Sequence, residues 1–172
     1  ENFFVLVSRL ERHKNLEFVL DTFSIIDENL VVLGTGSLLE KYIKKYPKIK
    51  FEGYVDDDKM INFLSRSKAS IIPTINEYSM PIIESFSRGT PVISIKCAAS
   101  DELVVSQSKI NNLDLGIIYN HSTVESLKSA INKFNLTKEK FNHEAIREFS
   151  YIFSPSVFSK KIKKIIKKIK MK

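Results

Sequence analysis

The stretch Leu30-Val31-Val32-Leu33-Gly34-Thr35-Gly36-Ser37 decides the fold of this 172-residue chain. Its four consecutive apolar residues are typical of a strand that is buried on both faces. The two glycines that follow permit a tight turn, and a helical pattern of apolar residues begins directly after them. A buried strand that leads through a glycine turn into a helix is the repeating unit of a parallel α/β sheet.

The same alternation of strand and helix extends over the whole chain. Short apolar runs predict strands at Phe3–Val7, Leu30–Leu33, Ile49–Glu52, Ala69–Ile72, Pro91–Ile95 and Gly116–Tyr119. Between these runs, apolar residues recur at helical spacing. We therefore expect a doubly wound, Rossmann-like α/β fold with about six parallel strands and helices on both faces. Residues 1–154 would form this domain, and residues 155–172 would form a basic amphipathic C-terminal helix.

Short polar motifs predict where several helices begin. Asn15 and Asp58 are the expected N-caps of two helices, because Asn and Asp side chains accept hydrogen bonds from free helix-start amides. Two Ser/Glu pairs have the spacing of a capping box, and they are Ser37 with Glu40 and Ser122 with Glu125. Further helices are expected near Pro81, at residues 142–149 and at residues 156–170.

Charge is distributed unevenly along the chain. The whole chain has 27 basic and 20 acidic residues, and the segment Ser159–Lys172 contains eight lysines and no acid. The remainder is almost neutral, so the basic character belongs to the C-terminal segment and a nucleic-acid partner is not expected. The single cysteine, Cys97, excludes an internal disulfide and suits a reducing, cytoplasmic environment.

Two loops could bind an anionic ligand. Arg9 and Lys14 follow the first strand, where two cations beside a helix start could hold a diphosphate. They could equally be solvated surface charges. Gly34 and Gly36 would let the backbone approach a phosphate, although an ordinary tight turn explains them as well.

The segment Asn76–Glu84 combines carboxylates with the start of a helix. Glu84 could accept hydroxyl groups of a sugar or ribose, and the helix-start amides could bind phosphate oxygens. The alternative is a carboxylate that only stabilises the helix N-terminus. The acidic run Asp56–Asp58 indicates a helix cap rather than a metal–diphosphate site, and the histidines are too scattered to suggest a zinc site.

Six segments, in this order along the chain, carry a resemblance to a known family: Val7-Ser8-Arg9-Leu10 with Lys14, Gly34-Thr35-Gly36, Phe51-Glu52-Gly53-Tyr54-Val55, Pro73-Thr74, Asn76–Glu84 and Gly89-Thr90-Pro91-Val92-Ile93. Together they resemble the nucleotide-sugar-binding, C-terminal domain of family 4 (group 1) retaining glycosyltransferases, which have the GT-B fold. The resemblance covers residues 3–134. It implies transfer of a sugar from a UDP- or GDP-linked donor to a glycan or lipid-linked acceptor, in surface polysaccharide or glycolipid assembly, without a metal or cofactor.

The resemblance also implies roles for individual residues. Arg9 and Lys14 would be the catalytic cations that neutralise the leaving diphosphate, and Glu84 would accept ribose hydroxyls. The other donor-binding residues that the resemblance implies are Gly34, Gly36, Tyr54, Val55, Asn76, Glu77, Ser79, Met80, Pro81 and Ile82.

The chain departs from the family pattern at three places. Asn76 stands where the family usually has a glutamate, with Glu77 beside it. Tyr78-Ser79 replaces the usual Phe-Gly, and residues 97–100 lack the usual glycine pair. Two alternatives to a catalytic donor domain therefore stay open. One is a degenerate, non-catalytic nucleotide-binding domain, and the other is a membrane- or partner-binding module that acts through the C-terminal helix.

Two expectations concern the ends of the chain. The resembled enzymes have a preceding domain that binds the acceptor, and the first strand here starts within two residues of Glu1. We therefore expect that domain to be absent and this chain alone to be inactive in transfer. The C-terminal helix has an apolar stripe formed by Phe158, Ile162, Ile165, Ile166 and Ile169. We expect the stripe to pack against protein, and the alternative is peripheral attachment to an anionic membrane surface.

Overall fold

A computed structural model of the chain describes residues 1–75 and 78–170. One sheet contains the strands β1 Phe4–Val7, β2 Leu30–Leu33, β3 Lys50–Gly53, β4 Ser70–Ile72, β5 Val92–Ile95 and β6 Gly116–Tyr119. Neighbouring strands are all parallel, in the order β3-β2-β1-β4-β5-β6. The predicted doubly wound sheet of about six strands is confirmed.

Helices follow every strand. They are α1 Glu17–Ile25, α2 Leu39–Lys45, α3 Asp57–Arg66, α4 Met80–Ser87, α5 Ala98–Ser100, α6 Gln107–Asn111, α7 Val124–Thr137, α8 His143–Ser150 and α9 Pro155–Lys170. A π-helical turn, Asp101–Ser106, joins α5 to α6. This helical segment between β5 and β6 was not predicted from the sequence.

Both faces of the sheet are covered because the strands are apolar on both sides. Phe4 and Leu6 of β1 belong to the larger core, which α1, α2, α4, α7 and α8 complete. Val5 points to the opposite face, as the period of two along a strand requires, and packs there with Leu33 and with Leu64 of α3. Three predicted features therefore agree with the fold: buried strands, a parallel order and helices in two layers.

The predicted caps of α1, α3 and α7 are wrong. Asn15 has a φ angle of 47° and ends a 3-10 turn, so it precedes α1 without capping it. Helix α3 is capped by Asp56 rather than Asp58, and α7 is capped by Thr123 rather than Ser122. In the last two cases the capping side chain lies within two residues of the predicted one, a difference that spacing alone does not resolve.

Helix α9 leaves its apolar stripe uncovered. The large apolar side chains exposed on this helix are Phe158, Ile162, Ile165, Ile166 and Ile169. The lysines between residues 160 and 168 are exposed as well. The expected packing of the stripe against protein is therefore not found within the described residues. No helix in that part of the chain combines the length and the apolar character needed to cross a bilayer.

Candidate functional site

The order of the strands creates a crevice at the carboxyl ends of β1 and β4. The connections that leave these two neighbouring strands run in opposite directions, and ligands of open α/β sheets bind at such a point. A cavity of about 190 Å³ opens there. Arg9 and Lys14, which follow β1, line it together with Pro73 and Thr74, which follow β4, and with Pro81 of α4. We call this the cationic cavity.

A second cavity of about 260 Å³ lies beside the first, towards β3. The two cavities share the lining residues Val7, Ser8 and Arg9. The rest of the second lining is mostly apolar and consists of Leu33, Gly34, Thr35, Tyr54, Val55 and Met60. Tyr54 exposes 80% of its surface, so its ring is available to a ligand. We call this the apolar cavity, and Arg9 forms its border with the cationic one.

Backbone hydrogen bonds fix the loop that carries Arg9 and Lys14. The amide of Leu10 donates to the carbonyl of Thr35 at 2.8 Å, and the amide of Leu38 donates to the carbonyl of Leu10 at 3.0 Å. The loop after β1 and the loop after β2 therefore form one unit. The side chains of Arg9 and Lys14 therefore extend from a backbone that is held by hydrogen bonds to the neighbouring loop.

The glycines of the β2–α2 turn are required by this contact. A Cβ atom on Gly34 would overlap the carbonyl oxygen of Ser8, and one on Gly36 would overlap the carbonyl oxygen of Leu10. Gly34 also lines the apolar cavity, whereas Gly36 lines neither cavity. The close approach that needs glycine here is between two loops of the chain itself.

The side chain of Glu11 lies beside Ser37, two residues before α2 begins. Its carboxylate accepts a hydrogen bond from the Ser37 amide at 3.0 Å and another from the Ser37 hydroxyl at 2.7 Å. These bonds hold the pKa of Glu11 below its ordinary value. The predicted capping box of Ser37 and Glu40 is wrong, because Ser37 donates to Glu11 and does not cap the helix. The Ser37 amide, which directly follows the glycine turn, is thus already paired with a side chain of this protein.

The loop before α4 is described from Tyr78 onward. Asn76 and Glu77, both predicted donor-binding residues, lie outside the described residues. Ser79 occupies the N-cap position of α4 and is almost completely buried. Its hydroxyl has no hydrogen-bond partner among the described residues.

The first turn of α4 offers few amides. Met80, Pro81 and Ile82 are its first three residues, and amides at these positions have no partner within a helix. Pro81 has no N–H, so the amides of Met80 and Ile82 are the available donors. The side chain of Ile82 is fully buried and that of Met80 is exposed. Ile82 could therefore contact a ligand only through its backbone.

Glu84 is half-buried on α4, one turn beyond the residues that start the helix. Burial raises the pKa of its carboxyl, and the negative charge of Asp57 at the start of α3 raises it further. Glu84 does not line either cavity. Within residues 1–75 and 78–170 Glu84 forms no ion pair, so its half-buried carboxylate is suited to accept hydrogen bonds from hydroxyl groups.

The structure brings together about half of the predicted site residues. The cavity linings contain Arg9, Lys14, Gly34, Tyr54, Val55 and Pro81. The predicted residues that are described but line neither cavity are Gly36, Ser79, Met80, Ile82 and Glu84.

Sequence reasoning gave no role to Glu11 or Met60. The signal for Glu11 was a single acid inside a loop with three basic residues and a histidine, and the signal for Met60 was an apolar residue one turn after the Asp56 cap. Across residues 1–75 and 78–170, no group of His, Cys, Asp and Glu side chains is arranged to hold a metal ion.

Comparisons with known proteins agree with this architecture. The family model described as "Glycosyl transferases group 1" matches residues 1–134. Among solved structures, a glycosyltransferase from Rickettsia africae is 21% identical with a TM-score of 0.75, and the match covers 98% of this chain and 48% of that one. HepE from Anabaena in complex with UDP is 18% identical with a TM-score of 0.75, covering 97% and 49%. A search of curated proteins finds no significant match.

The lipopolysaccharide outer core galactosyltransferase WaaB, in its apo form, gives a similar result. It is 17% identical with a TM-score of 0.74, and the match covers 96% of this chain and 49% of WaaB. At such identities the likeness shows the fold, and this chain spans about half the length of each of the three proteins. The match of the family model over most of the chain shows more: the chain belongs to the group 1 glycosyltransferases, and its fold is that of one half of a GT-B enzyme.

Proposed function

We propose that this chain is the C-terminal, donor-binding domain of a retaining glycosyltransferase that uses a nucleoside-diphosphate sugar. The observation that carries the proposal is the position of Arg9, which borders both cavities at the carboxyl edge of the sheet. A diphosphate in the cationic cavity and a nucleobase in the apolar cavity would both lie beside it. The two volumes together suit a ligand with one charged and one flat, apolar end.

The cationic cavity supplies the chemistry that departure of a diphosphate requires. As the bond to the sugar breaks, negative charge develops on the leaving phosphate, and fixed cations stabilise that charge. Arg9 and Lys14 are the cations in the lining, and the amides of Met80 and Ile82 start the neighbouring helix. The braced loop holds the cations in place before the reaction, so little reorganisation accompanies it.

The apolar cavity and α4 would bind the nucleoside. Tyr54 offers an exposed ring on which a base can stack, and Val55 and Met60 form an apolar floor. Glu84 would accept hydroxyl groups of the ribose. HepE, whose fold is similar, has been solved with UDP and with UDP and glucose, which supports a uridine nucleotide as the first ligand to test.

The acceptor and the cellular setting complete the proposal. We propose a glycan or lipid-linked acceptor and a role in polysaccharide or glycolipid assembly at the cytoplasmic face of a membrane. The chain spans about half the length of the structures that it resembles, and those are described as glycosyltransferases. Transfer by this domain would therefore require an acceptor-binding domain, and the chain alone would bind the donor without turning it over.

Helix α9 supports attachment to an anionic membrane surface. Its apolar stripe is exposed, the lysines between residues 160 and 168 flank it, and residues 155–170 contain no acid. Such a helix lies in the headgroup region with its apolar face towards the acyl chains. An enzyme that acts on a lipid-linked acceptor would gain proximity to its substrate.

Calorimetric titration of the purified chain with UDP, GDP and ADP, and with their glucose conjugates, tests the proposal. We expect one of the diphosphates to bind with a dissociation constant of about 1 mM or lower. Arg9→Ala should weaken that binding at least tenfold, which corresponds to about 1.4 kcal/mol. Arg147→Ala, which removes an exposed arginine from α8, should leave it unchanged. Absence of nucleotide binding, or equal binding by Arg9→Ala, contradicts the proposal.

A further inference from the structure

Glu11 is a single acid in a basic loop. The surrounding sequence is Arg9-Leu10-Glu11-Arg12-His13-Lys14. Its carboxylate nevertheless forms no ion pair among the described residues and reaches the next loop instead. One carboxylate oxygen accepts from the Ser37 amide at 3.0 Å, and the other accepts from the Ser37 hydroxyl at 2.7 Å. Both oxygens are thus committed to one partner residue.

The backbone of Glu11 sets the turn that presents Lys14. The Glu11 carbonyl accepts a hydrogen bond from the Lys14 amide at 3.0 Å, which closes the 3-10 turn. Asn15 follows in the left-handed conformation and redirects the chain into α1. A displacement of Glu11 would therefore displace Lys14, three residues later, and Arg9, two residues earlier.

We propose that Glu11 is a positioning residue for diphosphate binding. By holding Ser37 with both oxygens, it fixes Arg9 and Lys14 on the same wall of the cationic cavity. The inference rests on the proposed function, because it requires the cationic cavity to bind a diphosphate. It concerns the shape of the loop and not a contact between Glu11 and the ligand.

Simple electrostatics predicts the opposite result, which makes the inference testable by the sign of an effect. A carboxylate within the loop repels an anionic ligand, so removing its charge should tighten diphosphate binding. Loss of the positioning contact should weaken it. The side chain that separates the two effects is glutamine, which lacks the charge but keeps an oxygen that can accept from the Ser37 amide.

The experiment is a titration of the 172-residue chain with UDP and with uridine, for wild type, Glu11→Ala and Glu11→Gln. Glu11→Ala should bind UDP about fivefold more weakly and uridine equally well, because uridine lacks the phosphates that the cationic cavity would hold. Glu11→Gln should bind UDP at least as tightly as wild type. Glu40→Ala, which removes a nearby exposed charge from the first turn of α2, should not weaken UDP binding.

The titration results separate the positioning role of Glu11 from its alternatives. Equal or tighter UDP binding by Glu11→Ala overturns the inference and leaves the proposed function intact. Equal losses for UDP and uridine show general structural damage and also overturn it. If Glu11→Ala does not fold, Ser37→Ala removes only the 2.7 Å bond and should weaken UDP about twofold, again without affecting uridine. If wild type binds neither ligand, the proposed function fails and the inference fails with it.

Discussion

The hydroxyl of Thr90 donates a 2.6 Å hydrogen bond to the carbonyl oxygen of Leu64. Both residues are buried, so the bond joins the C-terminal end of α3 to the chain entering β5. Thr90 belongs to Gly89-Thr90-Pro91-Val92-Ile93, one of the segments that carry the family resemblance. The threonine of that segment therefore stabilises the scaffold and does not contact either cavity.

Thr90→Val should lower the free energy of unfolding by about 1 kcal/mol, the usual contribution of one hydrogen bond. The loss stays modest because Ser67 also donates to the Leu64 carbonyl. Urea unfolding measures it, and UDP affinity should not change. Thr137→Val, which removes an exposed hydroxyl bonded to the Lys133 carbonyl, should have little effect on stability. Loss of UDP binding at unchanged stability would contradict the structural role.

Gly34→Ala should destabilise the fold by about 3 kcal/mol. Its φ angle is 129°, and the added Cβ would overlap the Ser8 carbonyl oxygen, so the two loops would have to separate. Gly53→Ala is the matched control. Gly53 also has a positive φ, 68°, but a Cβ there would meet nothing within 4 Å. We expect a loss of about 1 kcal/mol for the control. Similar losses for both variants would show that the contact between the loops is unimportant.

Glu84→Gln should stabilise the chain at neutral pH. The native carboxyl has a raised pKa, so it holds its proton more tightly than the unfolded one, whose pKa is near 4.5. The native state therefore loses stability as pH rises from about 4.5 through the raised pKa, and glutamine avoids that loss. The advantage of the variant should vanish below about pH 4.5 in thermal unfolding. Glu148→Gln, an exposed acid on α8, controls for the change in net charge. A constant difference across pH would contradict the desolvation of Glu84.

Glu84→Ala should weaken UDP binding at least tenfold if the carboxylate accepts ribose hydroxyls. The discriminating ligand is 2′,3′-dideoxyuridine diphosphate, which lacks both hydroxyls. Wild type should prefer UDP over this analogue, and the variant should bind the two about equally. A variant that keeps the preference would place the ribose elsewhere.

Helix α9 should bind vesicles that contain phosphatidylglycerol and not vesicles of phosphatidylcholine alone. Each lysine near an anionic surface contributes about 1 kcal/mol, so added salt should release the chain. Ile162→Asn combined with Ile169→Asn should abolish binding in flotation assays, whereas Ile110→Asn, at an exposed isoleucine of α6, should not. If the chain instead self-associates through the stripe at similar protein concentration and does not bind vesicles, the stripe packs against protein and not against a membrane.

The strands were predictable because burial on both faces leaves continuous apolar runs. The helical segment at residues 98–111 was not, since its buried apolar residues, Ala99, Leu103 and Val104, all lie in its first half and no apolar stripe continues along the rest. A π-helical turn of this kind shifts the spacing on which periodicity depends.

The site residues that directly follow a strand could be predicted from the sequence. Arg9, Lys14 and Tyr54 could be placed at the carboxyl edge because parallel strands all end there. The partner of Ser37 could not be predicted, because Glu11 is distant in sequence and local spacing favoured Glu40. Capping patterns report only on neighbours along the chain, and here a tertiary contact replaced the local one.

The pairing of β1 with β4 has a consequence for how the chain opens. Every other pair of neighbouring strands is consecutive in sequence, so only this pairing joins the N-terminal three strands to the C-terminal three. It closes the longest loop of the sheet and carries the largest entropic cost. The cationic cavity lies across this seam, with Arg9 on one half and Thr74 on the other. A nucleotide bound in this cavity would contact both halves and stabilise their pairing. The resistance of the chain to proteolysis would therefore rise with the concentration of the nucleotide.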